Sequence, residues 1–344
     1  MFHNNDKKIT LLFITQKIHQ ADDDLAFVIL WIKEFIRQGV DVRVICLEKG
    51  EFDDSFPVYS LGKEKGAGKL IRMIIFWKLI FTLRYNRVFV HMNPEYFSLG
   101  GGFWLLKRIP MYLWYTHYTM HIHLWLAGVL SARMFAATKQ SLPQYEGNPK
   151  KIITGHGIDI DFWLKDFQAE KNDASEYNLL TVHRICRSKR LELSIKALTY
   201  LPKEYNLTVY GRDVEKDYYA EIVELIKKEK LENRVKLMGP VPMAELKNIY
   251  HQFRIMINMA SETIDKTMLE GMLFGVYPVT TAGNSRAIGL DDYPRNDEPE
   301  TLATFILGKK WQEYSVESLQ HIVEERHSLE ALIRKMNKYI IAGK

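Results

Sequence analysis

The sequence predicts an α/β protein of two doubly wound domains, and three observations support this fold class. Short apolar runs alternate with helix-like segments along almost the whole chain of 344 residues. Such alternation is typical of parallel sheets with helices on both faces. The alternation stops once, where G-H-G-I-D-I-D-F-W at Gly155 leads into a charged stretch ending at Tyr177. The length of the chain also fits two domains better than one.

The first half alternates from its start. Its predicted strands are Ile9–Ile14, Val40–Leu47, Val88–His91, Met111–Tyr115, Arg133–Ala136 and Lys151–Thr154. Predicted helices cover Asp24–Gln38, which stops at Gly39, then Lys69–Arg84 and a segment after Gly102.

The second half repeats the alternation after the charged stretch. Its predicted strands are Leu179–Val182, Leu207–Tyr210, Val235–Leu237, Phe253–Met259 and Tyr277–Thr281, and its predicted helices are Lys189–Tyr200, Val214–Lys230, Met243–His251 and a helix from about Asp265 to Gly275. We expect loops from Asn284 to Glu300 and then two or three helices. The predicted domains are therefore 1–160 and 161–325, and a C-terminal helix, 326–344, is expected to pack back on the first domain.

Composition narrows the class of protein only in part. The 47 basic and 42 acidic residues give a formal charge of +5, which is compatible with anionic substrates, nucleic acid or a membrane surface. Cys46 and Cys186 are the only cysteines, so neither a disulfide framework nor a cysteine zinc site is expected. The N-terminus has no apolar signal core, and the longest apolar region, 73–90, is interrupted by charges. We therefore expect a cytoplasmic protein.

The stretch from Ser261 to Glu270, S-E-T-I-D-K-T-M-L-E, connects a buried strand to a helix. Glu262 lies in the loop and Glu270 in the helix, with seven residues between them. Ligands of open parallel sheets bind at the carboxyl ends of strands, where this loop is expected. A helix that opens between Asp265 and Thr267 would offer free N–H groups to a phosphate. The alternative is that Asp265 is a simple N-cap and both glutamates are solvated.

Two cations follow the first strand of the second half. In H-R-I-C-R-S-K-R, Arg184 lies just past the strand end and Lys189 opens the next helix. Arginine can bind a diphosphate through two hydrogen bonds, and lysine binds it as a point charge. The alternative is a solvated basic turn. The position of the pair at the same sheet edge as Glu262 favours a ligand site.

Together, these motifs resemble those of the retaining glycosyltransferases of family 4, which have the GT-B fold. The matching positions are Arg184 and Lys189 for the basic pair in "G-R…K-G", Glu262 and Glu270 for E-x7-E, Gly275 with Pro278 and Val279 for "G-x-P-V", Gly211 and Gly239 for two further glycines, His156–Asp159 for "N-G-I-D", and His117 for a first-domain histidine. The resemblance covers most of the chain and implies two Rossmann-like domains facing a central cleft.

The chain departs from the family pattern at several positions. The glycine expected after the second cation is Arg190, and the "G-F-G" expected after the first glutamate is Thr263-Ile264-Asp265. The Gly-Gly pair expected after the first strand is replaced by H-Q-A-D-D-D. These departures affect individual donor and acceptor contacts more than the reaction class.

The resemblance also implies roles. Glu270 would bind the ribose hydroxyls, Glu262 the transferred sugar, and Arg184 with Lys189 the departing diphosphate. The implied catalytic residues are His117, Glu262, Arg184 and Lys189. The implied donor-binding residues are Arg184, Lys189, Gly211, Val241, Glu262, Asp265, Lys266, Thr267 and Glu270. The implied acceptor-binding residue is Asp22, and His91 is a second acceptor candidate because of its position at the end of a strand. The expected co-substrate is a UDP- or GDP-sugar, with no cofactor and no metal.

Histidines in the first half allow more than one interpretation. His117 lies in W-Y-T-H-Y-T-M-H-I-H, and it either reaches the donor sugar or is a partly buried residue at a strand end. His121 and His123 would make a metal site conceivable, and His117 and His121 would share a face in a helix. However, no Glu or Cys joins them at a zinc spacing. His91 ends a strand, where it contacts a substrate or has a structural role.

Two more motifs have ordinary explanations. The run Asp22-Asp23-Asp24 looks like an acidic metal cluster, but Asp23 or Asp24 as a helix cap explains it better. Gly100–Gly102 lacks the lysine of a phosphate loop, so we predict the start of a helix with close packing.

Residues 62–87 carry seven Lys or Arg among bulky apolar residues. This pattern is consistent either with a core helix or with an interfacial helix on anionic lipid. The second alternative would give the protein an anionic membrane surface as a partner, on the inner face of the cell membrane, and the first would not. No nucleic acid is expected as a partner.

The expected function is retaining transfer of a hexose to a glycan or lipid-linked acceptor, in cell-surface polysaccharide or lipopolysaccharide assembly. The alternatives are an enzyme similar to the nucleotide-sugar 2-epimerases and a non-catalytic module that binds sugar nucleotides.

Overall fold

The computed structural model describes residues 8–22, 25–117, 119–165, 167, 175–261 and 264–343. The chain forms two compact units, one of Met1–Gly157 with Leu329–Lys344 and the other of Ile158–Ser328. Each unit contains one parallel sheet with helices on both faces, so the predicted pair of Rossmann-like domains is confirmed.

In the residues that the structure describes, the first unit has seven strands. In chain order they are β1 (Thr10–Ile18), β2 (Asp41–Lys49), β3 (Val58–Ser60), β4 (Arg87–His91), β5 (Met111–Trp114), β6 (Arg133–Ala136) and β7 (Lys151–Ile153). The strand order in the sheet is β3-β2-β1-β4-β5-β6-β7, and every pair is parallel. The order therefore reverses between β1 and β4, which is the point where α/β sheets commonly bind ligands.

In the described part of the chain, four α-helices precede the second unit. They are α1 (Phe27–Arg37), α2 (Lys69–Thr82), α3 (Glu95–Leu106) and α4 (Ile122–Leu130). Alternate residues of β1 point to opposite faces of the sheet. Leu11 and Phe13 join the core under α1, whereas Leu12 and Ile14 join the core under α2, α3 and α4.

Among its described residues, the second unit has five strands, all paired in parallel. They are β8 (Asn178–Val182), β9 (Asn206–Tyr210), β10 (Val235–Gly239), β11 (Ile255–Asn258) and β12 (Tyr277–Thr280). Their order is β10-β9-β8-β11-β12, so the reversal falls between β8 and β11. This sheet is buried on both faces, as parallel sheets usually are.

The remaining helices complete both units. They are α5 (Ile160–Leu164), α6 (Leu191–Ala197), α7 (Lys216–Lys228), α8 (Met243–Tyr250), α9 (Lys266–Met272), α10 (Ala282–Ile288), α11 (Pro299–Leu307), α12 (Val316–His327) and α13 (Leu329–Ala342). The last helix, α13, packs against α1 in the first unit, where Leu332, Ile333 and Met336 share a core with Trp31 and Phe35.

One prediction about helices was wrong, and a second was correct only in part. Gly100–Gly102 lie within α3 and do not start it, because the helix already begins at Glu95. A Cβ atom on Gly101 would lie 2.6 Å from Cδ1 of Leu130, so the glycine allows α3 and α4 to pack closely. The segment after Asn284 is also less loop-rich than predicted, because α10 extends to Ile288.

Within the ranges that the structure describes, no helix is long and apolar enough to cross a membrane.

Candidate functional site

The candidate site lies at the carboxyl edge of the second sheet, where strand order reverses between β8 and β11. The loops after these two strands touch, since the backbone N–H of Ser261 donates to the carbonyl of Ser188 over 3.1 Å. Ligands of open α/β sheets bind at such a reversal. The fold therefore brings Arg184 and Lys189 to the same edge as Asp265, as the sequence indicated.

Lys189 and Asp265 form an ion pair, and their side chains are only 12% and 16% exposed. The other carboxylate oxygen of Asp265 accepts a hydrogen bond from Asn258 Nδ2 over 2.9 Å. Asn258 is fully buried at the end of β11, so it anchors the pair to the sheet. These contacts hold the Lys189 ammonium in a fixed position, and they favour a positioning role for Asp265.

Arg184 contrasts with Lys189. Its side chain is exposed and makes no ion pair or hydrogen bond to any residue that the structure describes. A guanidinium at a strand end, without a carboxylate partner there, is suited to binding a phosphate through two hydrogen bonds.

Arg190 replaces a glycine of the family pattern, and the structure shows why glycine suits this position. Its φ is +50° and its ψ is +47°, in the left-handed region that costs a non-glycine residue about 1 kcal/mol. Its side chain offsets this cost, because Nε donates to the carbonyl of Met259 over 2.8 Å and the guanidinium pairs with Asp297 at 2.9 Å. The basic loop thus keeps the turn without the glycine.

Helix α9 is fixed to the strand end by Thr267, whose hydroxyl donates to the carbonyl of Val182 over 2.7 Å. Asp265 occupies the N-cap position but makes no side-chain capping bond, because its carboxylate faces Lys189 and Asn258. The side chain of Asp265 therefore does not cap α9 in this structure.

Glu270 is buried, with 8% of its surface exposed, and it accepts a hydrogen bond from the hydroxyl of Tyr250 over 3.2 Å. Burial raises the pKa of Glu270 to about 7, and the positive charge of Lys266 opposes part of this rise. Burial also lowers the pKa of Lys266 to about 8, opposed by the charge of Glu270. The alternative of a solvated Glu270 is excluded by this burial.

Two predicted donor-binding residues follow the neighbouring strands β9 and β10. A Cβ atom on Gly211 would lie 1.8 Å from the carbonyl oxygen of His183, so no other residue fits without moving the backbone. The absence of a side chain at Gly211 therefore lets the ends of β8 and β9 approach closely. Val241 follows β10 and is partly buried against the core of the unit.

Three residues of this region were not singled out by the sequence. Asn258 and Tyr250 hold Asp265 and Glu270. His183 is 6% exposed, its Nδ1 lies 3.0 Å from the carbonyl oxygen of Arg184, and burial lowers its pKa. Asn258 and His183 could have been found from the sequence, because each is a polar residue within or just after an apolar run. No local sequence feature distinguishes Tyr250.

The predicted acceptor residues already make contacts with other side chains and backbone groups of the first unit. His91 is 1% exposed and its ring packs against Phe27, Trp31 and Trp114 at 5.3 to 5.7 Å between centroids. These are the contacts of a structural residue. Asp22 accepts a hydrogen bond from the N–H of Leu25 over 2.8 Å and pairs with Lys17 at 2.9 Å.

His117 is exposed in the loop after β5, and its ring meets Tyr115 edge-on at 5.4 Å. His117 and His121 do not share a helix face, because α4 starts only after His121, whose Nδ1 accepts the N–H of Leu124 at 3.4 Å. Among the residues with described positions, no three His, Cys, Asp or Glu side chains are grouped to hold a metal.

Three predictions lie outside the described residues. They concern Glu262 and the possible helix caps Asp23 and Asp24.

The second unit carries the sequence similarity to a known family. Residues 164–293 match the family model described as glycosyl transferases group 1, which supports a group 1 glycosyltransferase. This segment contains Arg184, Lys189, Asp265 and Glu270. A comparison with curated proteins finds no match.

Solved structures resemble the whole chain. HepE from Anabaena in complex with UDP has 17% identity and a TM-score of 0.77, over 97% of this chain and 100% of that chain. A glycosyltransferase from Rickettsia africae has 15% identity and a TM-score of 0.77, over 98% and 99%. The lipopolysaccharide outer core galactosyltransferase WaaB has 13% identity and a TM-score of 0.71, over 96% and 98%. At these identities the similarity establishes the GT-B fold.

Proposed function

We propose that the protein is a retaining glycosyltransferase of family 4 that moves a hexose from a UDP- or GDP-sugar to a glycan or lipid-linked acceptor. The family match of residues 164–293 supports the reaction class. HepE, whose structures contain UDP and glucose, supports a nucleotide-sugar donor. WaaB, a lipopolysaccharide outer core galactosyltransferase, supports a role in lipopolysaccharide or cell-surface polysaccharide assembly.

The observation that carries this proposal is the grouping of Arg184, Lys189 and Asp265 at the strand reversal of the second unit. Cleavage of a glycosyl–phosphate bond builds negative charge on the departing diphosphate. Lys189, which is held by Asp265, stabilises that charge without moving, and the exposed Arg184 closes on it. A fixed donor such as Lys189 contributes roughly 3–4 kcal/mol in other enzymes.

Glu270 is assigned to the ribose. A carboxylate can accept hydrogen bonds from two neighbouring hydroxyls, and the Tyr250 hydroxyl fixes its orientation. Because burial raises the pKa of Glu270 to about 7, its charge depends on pH in the physiological range. The backbone of Gly211, together with Val241, Lys266 and Thr267, completes the proposed donor contacts.

The transfer itself is assigned to a same-face substitution. The acceptor hydroxyl attacks the anomeric carbon as the diphosphate leaves, and a diphosphate oxygen takes the hydroxyl proton. Retention follows because attack and departure use the same face of the sugar. Glu262 and His117 are assigned to the transferred sugar, and the reaction needs no metal or cofactor.

The acceptor is assigned to the first unit, with Asp22 as the proposed contact. A lipid-linked acceptor would be presented at a membrane, and residues 62–87 are proposed as the region that meets its anionic surface on the cytoplasmic side.

Donor binding is the first experiment. A thermal-shift panel of UDP-, GDP- and ADP-sugars is expected to show stabilisation by one nucleotide class, growing with the logarithm of its concentration. No stabilisation by any of them would contradict the donor site.

A donor-turnover assay separates the alternatives. A glycosyltransferase releases nucleotide diphosphate, and faster when the acceptor is added. An epimerase changes the sugar and gives no acceptor product, and a silent binding module gives neither result. EDTA is expected to leave the transfer rate unchanged.

Two variants test the assigned carboxylates. Glu270→Ala is expected to weaken nucleotide binding, and Glu262→Ala is expected to lower turnover mainly. Unchanged calorimetric affinity and unchanged rate in both variants would overturn the assignment.

A further inference from the structure

Exposed apolar side chains are concentrated in one part of the first unit. Of the 19 large hydrophobic residues recorded as exposed in the described chain, 11 lie between residues 70 and 129. They are Leu70, Ile71, Met73, Ile74 and Phe81 on α2, Leu105 and Leu106 at the end of α3, Met120 before α4, and Ile122, Trp125 and Val129 on α4. We call these residues the α2–α4 surface. Isolated exposed apolar residues are common, but such a concentration marks an interaction site.

The three helices that carry this surface form one layer. They share a single core on the same side of the first sheet. Phe81 of α2 meets Phe103 of α3 edge-on at 4.7 Å, and α3 packs against α4 where Gly101 faces Leu130. The exposed side chains therefore belong to one continuous layer of helices.

Helix α4 extends the surface beyond the segment 62–87. Its exposed residues Ile122, Trp125 and Val129 recur at three and four positions, which places them along one helix face. Trp125 is 53% exposed, although tryptophan is usually highly buried. No Asp, Glu, Lys or Arg occurs between residues 109 and 132, so this stripe is uncharged.

Charge is segregated onto the same part of the chain. Residues 65–145 contain ten Lys or Arg and one acidic residue, Glu95, which gives +9. The remaining 37 basic and 41 acidic residues carry −4. On α2, Lys69, Arg72 and Lys78 make no ion pair with any residue that the structure describes.

We infer that the α2–α4 surface docks on an anionic lipid bilayer. The apolar side chains enter the boundary between headgroups and acyl chains, and Trp125 lies at the headgroup level, where tryptophan is enriched. The basic residues reach lipid phosphates, and each contributes roughly fivefold to partitioning. This inference deepens the proposed function and rests on it for the lipid-linked acceptor. The test of the inference measures membrane binding alone and requires no transfer reaction.

The experiment is flotation of the full chain with vesicles of phosphatidylglycerol and phosphatidylcholine, and with vesicles of phosphatidylcholine alone. The protein is expected to float with the anionic vesicles and to remain at the bottom with the neutral ones. Raised salt should release it, because exposed charges are screened.

Paired substitutions locate the contact. Ile71→Ser with Trp125→Ser removes two apolar anchors from different helices and should abolish flotation. The control pair, Met238→Ser with Leu307→Ser, changes exposed apolar residues of the second unit and should float as the wild type does.

Charge reversal gives a second pair. Lys69→Glu with Lys78→Glu should weaken flotation by at least roughly tenfold. Lys227→Glu with Lys236→Glu, which makes the same change at exposed lysines of the second unit, should leave it unchanged. Circular dichroism confirms that each variant is folded.

The inference would be overturned if the protein floated equally with both vesicle types or with neither type. It would also be overturned if the α2–α4 variants floated as the wild type does. A wild-type dimer that the Ile71 and Trp125 substitutions convert to monomers, without flotation, would overturn it too, and would assign the surface to a second copy of the chain. Donor binding measured by thermal shift tests the proposed function separately, since lipid is absent from that assay.

Discussion

The two units reverse their strand order in the same way, but they place different chemistry at the reversal. In the first unit, β4 ends at His91, which is enclosed by Phe27, Trp31 and Trp114. In the second unit, β8 is followed by Arg184, which is exposed. Topology gives both units a strand end suited to a ligand. The neighbouring side chains decide whether that place becomes a core or a charged site.

The comparison also concerns how polar groups are held. Thr15 Oγ1 lies 3.4 Å from His91 Nδ1 beneath aromatic rings, an arrangement that leaves little surface for a substrate. Lys189, in contrast, is held by Asp265 at the surface of the second sheet. A buried polar group of this kind stabilises a fold, whereas a fixed but accessible cation can stabilise charge on a ligand.

The largest expected effect is on turnover in the second unit. Arg184→Ala should lower the rate of transfer by roughly 10²–10³-fold, because it removes a charge that faces the departing diphosphate. The measurement is nucleotide diphosphate release at saturating donor. The control is Arg187→Ala in the same loop, since Arg187 is already paired with Glu221 and lies over Tyr218. Equal losses in both variants would show that the loop, rather than Arg184, matters.

The matching change in the first unit should affect stability instead. His91→Ala is expected to lower the free energy of unfolding by about 2–4 kcal/mol, because it leaves a cavity among aromatic rings. Urea denaturation measures this loss, and nucleotide affinity should not change. His91→Phe should restore most of the stability. If His91→Phe is stable but abolishes acceptor transfer, His91 contacts the acceptor and the comparison fails.

The pH dependence of nucleotide binding sharpens the comparison further. The folded-state pKa of Glu270 is raised to about 7, so the carboxylate is present above that pH and is lost as the pH falls through it. Affinity should therefore fall by up to roughly tenfold per unit below about pH 7, and it should fall again above about pH 8, where Lys266 loses its charge. Calorimetry across this range measures both effects. In Glu270→Gln the fall below about pH 7 should be absent, and a wild-type profile with no slope there would contradict the ribose assignment.

The smallest expected effect comes from the residue that holds Glu270. Tyr250→Phe removes one hydrogen bond and should weaken nucleotide binding about fivefold, which corresponds to about 1 kcal/mol. Because the Tyr250 hydroxyl lowers the pKa of Glu270, the midpoint of the pH profile should also move upward. Tyr205→Phe, at another buried tyrosine of this unit, should change neither quantity. An unchanged midpoint in Tyr250→Phe would leave Tyr250 with a packing role only.

Much of the fold follows from local sequence patterns. Apolar runs such as Val88–His91 and Lys151–Thr154 correspond to β4 and β7 within one residue. The predictions failed where non-local contacts decide the outcome. Three consecutive glycines disfavour a helix locally, yet α3 continues through them because Gly101 packs against Leu130.

The site follows the same division. The shared edge of Arg184, Lys189 and Asp265 could be predicted, because the carboxyl ends of neighbouring parallel strands meet there. The hydrogen bond from Tyr250 to Glu270 could not be predicted, because it depends on how Tyr250, the last residue of α8, packs beside α9. The raised pKa of Glu270 could not be predicted from the sequence either, since it is caused by burial in the folded unit.

The packing of α13 against α1 sets the order in which the units can be completed during synthesis. The residues of the second unit, Ile158–Ser328, are contiguous, so this unit can emerge from the ribosome and fold in one step. The first unit cannot, because the face of Trp31 and Phe35 is covered by Leu332 and Ile333, which are translated after the whole second unit. A nascent chain therefore carries an open apolar face for most of its synthesis, although that unit was begun first.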